Sequence, residues 1–119
     1  MFVAFGAFTN YFGMPTFATT YDTTIRDLES KLSDLIDGGL DFDLDKRGDV
    51  LTIEFEDGEK IVITPQAPLE QLWVSANYAG HRFLWSETVA HWVNEKSGES
   101  IQSFLAKALS EKLQLDVSL

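Results

Sequence analysis

Gln66, Gln71, Trp73 and Arg82 lie close together in the stretch IVITPQAPLEQLWVSANYAGHRFLW, residues 61–85. They supply two amides, an indole and a guanidinium. Trp73 stands between Leu72 and Val74, so in a strand its sequence neighbours point to the opposite face. One side of a sheet would then show an aromatic ring beside hydrogen-bonding and cationic groups. That composition suits docking on another protein more than enclosing a small molecule. Each residue also has an ordinary reading. Trp73 could be core, because tryptophans are mostly buried. The two glutamines could be polar edge residues, and Arg82 a cross-strand partner of Glu70 or Glu54. His81 and His91 read as structural or solvent-facing, since two isolated histidines make a weak metal site.

The second chemistry-bearing group is acidic. Of 19 acids, 13 fall within residues 22–59 against 4 basic residues there, a net of −9 in a chain whose total is −10. Repulsion within that segment opposes folding, so a role outside folding is one reason to keep it; a solvated face that maintains solubility is the other. The sign makes nucleic acid and anionic membrane poor partners and favours cations and basic protein surfaces. There are no cysteines. Disulfides, thiolate catalysis, thiolate-bound zinc and cysteine-ligated clusters are therefore excluded from this chain.

The elements that must position these groups follow from periodicity. A chain of 119 residues is the length of one domain. Tyr21, Ile25, Leu28, Leu32, Leu35 and Ile36 form one apolar stripe at helical spacing. Thr20 is the expected N-cap, with Thr23 at the capping-box position, and Gly38-Gly39 ends the helix. Asp22, Asp27, Glu29, Asp34 and Asp37 fall off the stripe. Asp41-Phe42-Asp43-Leu44-Asp45 alternates strictly and predicts a strand with three carboxylates on one face. Val50–Phe55 alternates again, Asp57-Gly58 signals a two-residue hairpin, and Lys60–Ile63 returns. Gln71–Ser75, His81–Trp85 and His91–Val93 read as short strands, with a proline-marked turn before the first and a glycine turn before the second. A last helix begins near Ser100, with Ile101, Phe104, Leu105, Ala108, Leu109 and Leu113 on its buried stripe. The expected architecture is α+β: two helices on one face of a five- to six-stranded antiparallel sheet whose other face meets water.

Residues 1–21 contain no charged side chain and hold five of the nine Phe residues. They lack the basic start of a secretory signal and the Arg-rich pattern of a transit peptide. Gly6, Asn10, Gly13 and Pro15 interrupt a spanning helix. The division expected is an apolar segment over residues 1–20, tail or packed extension, followed by a domain over 21–119.

From about Tyr21 to Leu115 the chain resembles the frataxins. The matching pieces are the acidic first helix, VLTIEF with its hairpin, PQAPLEQLW, HRF, HWV followed by SG, and the Leu/Ala-rich last helix. PQAPLEQLW resembles the most specific motif of that family, matched at Gln66, Pro68, Gln71 and Trp73, and Arg82 matches its basic residue on the next strand. Thr64 stands where the family has Asn, Pro65 replaces a basic residue, and the loop Ser86–Ala90 looks long. Trp85 and the end ALSEKLQLDV look more like eukaryotic members.

The resemblance implies a regulatory protein of iron–sulfur cluster assembly. It would dock on a cysteine desulfurase and its scaffold through Gln66, Gln71, Trp73 and Arg82 and modulate sulfur transfer. It also implies weak, labile binding of iron (Fe2+ or Fe3+) by an acidic ridge, with Asp27, Glu29, Asp34, Asp37, Asp41, Asp43 and Asp45 as the candidate ligands. Iron is a hard cation that carboxylate oxygens suit. Haem, a resident cluster, nucleic acid and membrane are not expected. The expected state is a monomer, with iron-dependent oligomers as the alternative. Iron oxidation is attributed to the family, but no convergent acid, base and open metal position is readable, so an enzyme ranks last. The eukaryote-like features point to a mitochondrial matrix, with bacterial cytoplasm as the alternative. An acidic interaction module without a metal role is the competing function.

Overall fold

The structure, a computed structural model, describes residues 16–119; the apolar segment up to residue 15 lies outside them. The described chain runs α1 (Phe17–Asp37), β1 (Asp43–Arg47), β2 (Val50–Glu54), β3 (Lys60–Gln66), a 3-10 turn (Ala67–Leu69), β4 (Gln71–Ala76), β5 (Ala79–Ser86), β6 (His91–Asn94) and α2 (Ile101–Leu113). Among the described residues the strands form one six-stranded sheet in sequence order, each pair antiparallel. This is the α+β arrangement expected, with both helices on one face.

The first helix starts earlier than its polar pattern predicts. Thr16, not Thr20, is the N-cap: its hydroxyl accepts from the Thr19 backbone N–H, and the Thr19 hydroxyl accepts in return from the Thr16 N–H. A threonine takes the place that Glu or Gln usually fills in such a box. The reason for the extra turn is apolar. Phe17 is buried four residues before Tyr21 and continues the stripe through Ile25, Leu28 and Leu32. The expected domain start at residue 21 therefore falls inside α1. Gly38-Gly39 ends the helix as the sequence predicts. Gly39 has φ 105, and the N–H groups of Gly39 and Leu40 donate to the carbonyls of Ile36 and Leu35, which satisfies two of the helix's last carbonyls.

Two turns differ from expectation. The β2–β3 loop has three residues, not two. Phe55 still pairs with Glu59, and Gly58 at φ 90 takes the left-handed position of the longer loop. The β4–β5 turn is Asn77-Tyr78, both left-handed (φ 52 and 60), so Gly80 lies within β5 and does not make the turn. The expected strand over residues 41–45 is displaced to Asp43–Arg47, because β1 pairs with β2 from Asp43 opposite Glu54 to Arg47 opposite Val50. Asp41 precedes it.

One core fills the space between sheet and helices. Leu51, Ile53, Ile61, Ile63, Leu72, Val74, Phe83 and Trp92 meet Tyr21, Ile25, Leu28 and Leu32 of α1 and Ile101, Leu105 and Leu109 of α2. Complete burial of each such side chain contributes about 1.5–3 kcal/mol. Polar groups that enter this layer are bonded. The Tyr21 hydroxyl donates to the Asp49 carbonyl at 2.7 Å, and the Trp92 indole N–H donates to the Thr24 hydroxyl at 2.8 Å. Burial, with Asp49 nearby, holds the Tyr21 phenol far above its usual range. Trp85 packs edge-on against Trp92 with centroids 5.5 Å apart. No described helix is long and apolar enough to cross a membrane.

Candidate functional site

Strand parity divides the sheet. The positions alternating with the buried ones face away from both helices, and register sets them in rows. Thr64, Trp73 and Arg82 form one row across β3, β4 and β5. Gln66, Gln71, Leu84 and Val93 form the next. Asp45, Thr52, Val62, Ser75 and Gly80 form a third on the other side of Trp73. Asp43 and Glu54 share a row with Lys60 near the β1 edge.

The structure brings the four predicted docking residues together. Trp73 is half-buried on this face while Leu72 and Val74 beside it are fully buried on the other. Its indole N–H donates to Oε1 of Gln71 at 2.7 Å. The Arg82 guanidinium lies over its ring, 5.0 Å from the centroid. Gln66 is directly opposite Gln71. The indole is thus fixed at its edge by an amide and covered on its face by a cation, a stacking worth roughly 0.5–1 kcal/mol at an exposed position. Neither Glu70 nor Glu54 is the partner of Arg82; its cross-strand neighbour is Trp73. Gln71 as the acceptor that orients the indole was not readable from residue spacing, because i and i+2 positions say which face is shared but not which rotamers meet. A shallow depression of about 230 Å3 adjoins the indole, lined by Val62, Thr64, Ser75, Gly80 and Arg82 among others.

The acids lie on α1, the segment after it and β1. Asp27 is paired with Lys31 at 3.3 Å, one turn on in α1. Glu29 is half-buried, and Asp34 and Asp37 are exposed near the end of α1. Asp41 is exposed ahead of β1, and Asp43 and Asp45 project on the open face of the edge strand. Asp45 pairs with Arg47 at 2.9 Å. Among the described residues no three His, Asp or Glu side chains converge at metal-binding distance. Any iron held here would sit on one or two carboxylates and water. Glu54, unassigned from sequence, joins Asp43 and Asp45 around a shallow basin that also includes Arg47 and Lys60. Of the two histidines, His81 packs at a tilt against Phe104 with centroids 4.7 Å apart, and His91 is exposed.

Two of the sequence departures from the frataxin pattern are neighbours in β3, Thr64 on the open face and Pro65 on the core side opposite Leu72. Thr64 is opposite Trp73, and Pro65 is accommodated in β3 beyond the last residue that pairs with β2.

Comparison with known proteins agrees with this fold. The model of the family described as Frataxin-like domain matches residues 12–115. The iron–sulfur cluster assembly protein CyaY of Pseudomonas paraeruginosa is 42% identical over 81 residues, covering 68% of this chain and 75% of that protein. Its counterpart in Ralstonia pickettii is 35% identical over 97 residues, covering 82% of each. The solved structure of frataxin from Psychromonas ingrahamii, of the CyaY family, matches with a TM-score of 0.76 at 29% identity, covering 86% of this chain and 92% of that one. All three come from bacteria, so the expectation of a mitochondrial matrix finds no support among them.

Proposed function

The chain belongs to the frataxin-like domain family, and from that premise we propose that it serves iron–sulfur cluster assembly as a docking protein. It engages a cysteine desulfurase and its scaffold through the open sheet face and modulates sulfur transfer between them, in the bacterial cytoplasm. The observation that carries this reading is Trp73, held outside the core by Gln71 and covered by Arg82. A large indole kept half-exposed at the centre of a sheet has the properties of a binding anchor. The relatives named for iron–sulfur cluster assembly support the process to which the anchor is assigned.

Iron enters as cargo. The carboxylates of α1 and β1 offer hard oxygen donors, and their dispersal favours weak, quickly exchanging binding over a resident centre. The same dispersal favours the second reading, an acidic interaction module without a metal role. Iron titration of the parent against a variant carrying Asp41→Asn, Asp43→Asn and Asp45→Asn separates them. Equal iron binding by both would remove these residues from the iron site.

The docking claim is tested by the rate of sulfur transfer in a reconstituted bacterial desulfurase and scaffold, with and without the chain. The parent should change the rate and Trp73→Ala should abolish that change. No effect of the parent on competent partners would refute the proposed function.

A further inference from the structure

The chain contains three arginines, Arg26, Arg47 and Arg82. Arg26 bonds Asp22 at 2.8 Å and Arg47 bonds Asp45 at 2.9 Å. Arg82 is exposed, yet no carboxylate among the described residues forms an ion pair with it. Residues 1–15 contain no acid that could supply one. Among the described residues Lys46, Lys60 and Lys96 also form no ion pair, but of the three arginines only Arg82 forms none. The guanidinium is not loose. It lies over the Trp73 ring at 5.0 Å from the centroid, and the indole is itself held by Gln71. A guanidinium carries its donors in a planar fork that suits a planar acceptor such as a carboxylate.

Gly80 supplies an independent observation. It lies in β5 on the same face, opposite Ser75 and two residues before Arg82. Its φ is outside the left-handed range, and a Cβ built there would meet nothing within 4 Å. Neither backbone conformation nor packing therefore requires a glycine, while glycine within a strand weakens it. What its missing side chain does is keep open the depression beside Trp73, whose lining includes Val62 and Arg82. Glycine inside a strand often marks the close approach of another molecule.

We infer that Gly80, Trp73 and Arg82 form a socket for one acidic side chain of the partner protein, its carboxylate taken bidentately by Arg82 and its stem lying over Val62 against the indole. The inference rests on the docking role proposed above and deepens it. The partner surface must be mixed in charge. It presents a carboxylate at β5 and basic groups toward Asp43, Asp45 and Glu54 at the β1 edge. Four strand intervals separate β5 from Asp43 and Asp45, about 19 Å at the usual spacing, and three separate it from Glu54.

The test is calorimetric binding to a bacterial cysteine desulfurase–scaffold assembly, together with thermal melts. Gly80→Val should raise the melting temperature, by roughly 4 °C or more, since a β-branched residue replaces glycine in a strand. It should at the same time weaken binding on the order of tenfold by filling the socket. A merely structural glycine would not move the two readouts in opposite directions. Arg82→Glu should weaken binding by about 30-fold or more, and one Asp→Lys or Glu→Lys change on the partner should restore it. Unchanged binding by Gly80→Val or Arg82→Glu overturns the socket while leaving the docking role intact. A loss on Arg82→Glu that no partner charge reversal restores overturns the carboxylate assignment. A parent that binds no such assembly overturns the docking role and the socket with it.

Discussion

Trp73→Ala separates the two lives of this residue, in the fold and in the complex. On the folding side, the change removes the cation stack of Arg82, worth roughly 0.5–1 kcal/mol, and the indole bond to Gln71. That bond lies at a half-open position where water can replace the indole as donor, so its loss adds about 0.5 kcal/mol. The layer beneath is closed by Leu72 and Val74, which do not move, so no core cavity opens. The sum is about 1–1.5 kcal/mol, and the melting temperature of a domain this size should fall by about 4–12 °C with the transition still cooperative. On the docking side, a central aromatic anchor is worth about 2 kcal/mol or more, at least about 30-fold in Kd. A thermal melt and a calorimetric titration against the desulfurase–scaffold assembly, both on the same preparation, give the two numbers. Loss of a cooperative transition at 25 °C would mean that the indole supports the core, and binding within twofold of the parent would mean that the open face docks elsewhere. Either result refutes the reasoning.

Three further outcomes follow from particular contacts. Replacing Asp41, Asp43 and Asp45 by Asn should raise the urea midpoint, because relief of like-charge repulsion with Glu54 opposite Asp43 outweighs the exposed Asp45–Arg47 pair, itself worth about 0–1 kcal/mol; a lower midpoint would contradict a functional origin for that charge. Tyr21→Phe should destabilise the protein by about 1 kcal/mol at pH 7 through loss of the bond to the Asp49 carbonyl. Since the Tyr21 pKa is raised in the folded state, its contribution is intact below the ordinary phenol pKa of about 10 and declines above it, so denaturation curves for the parent should fall more steeply than those for Tyr21→Phe beyond pH 10. Lys112 bonds both Asp57 and Glu59 and holds the Asp57 carboxyl below its usual range; that contribution is present at neutral pH and lost as acid protonates Asp57, so the stability difference between the parent and Lys112→Met should shrink as pH falls below about 4, and a difference constant down to pH 2 would show that the pair is not its source.

The parts of this fold legible in the sequence are those where the apolar period is unbroken. The stripe from Tyr21 to Leu32, the alternation through Leu51 and Ile53, and the stripe from Ile101 to Leu109 all describe sides that must reach one core. The errors fall where another interaction competes with the period. Phe17 belongs to α1 but stands in a phenylalanine-rich segment without polar contrast, so its phase could not be read. Asp41 continues the alternation of β1, yet β2 has no residue left to pair with it once Glu54 meets Asp43. Gly80 looks like a turn residue, but Asn77 and Tyr78 accept left-handed backbone and make the turn before it.

The residues proposed to dock stand out in the sequence for the opposite reason. Trp73 violates what its strand parity calls for, since an indole on the polar phase has no core to enter. Such a violation says that a residue serves something outside the fold, but not what it meets. That second step needs register, which places Arg82 on the indole and Gly80 beside it although the three occupy two strands. It also needs the charge map, because an unpaired arginine is visible only after every nearby carboxylate has been given a position. The acidic ridge shows the limit from the other side. Carboxylate count and spacing imply attraction for cations, but a site requires convergence, and among the described residues no three of these acids converge. The sequence therefore speaks more specifically about the proposed docking face than about the proposed iron-binding acids.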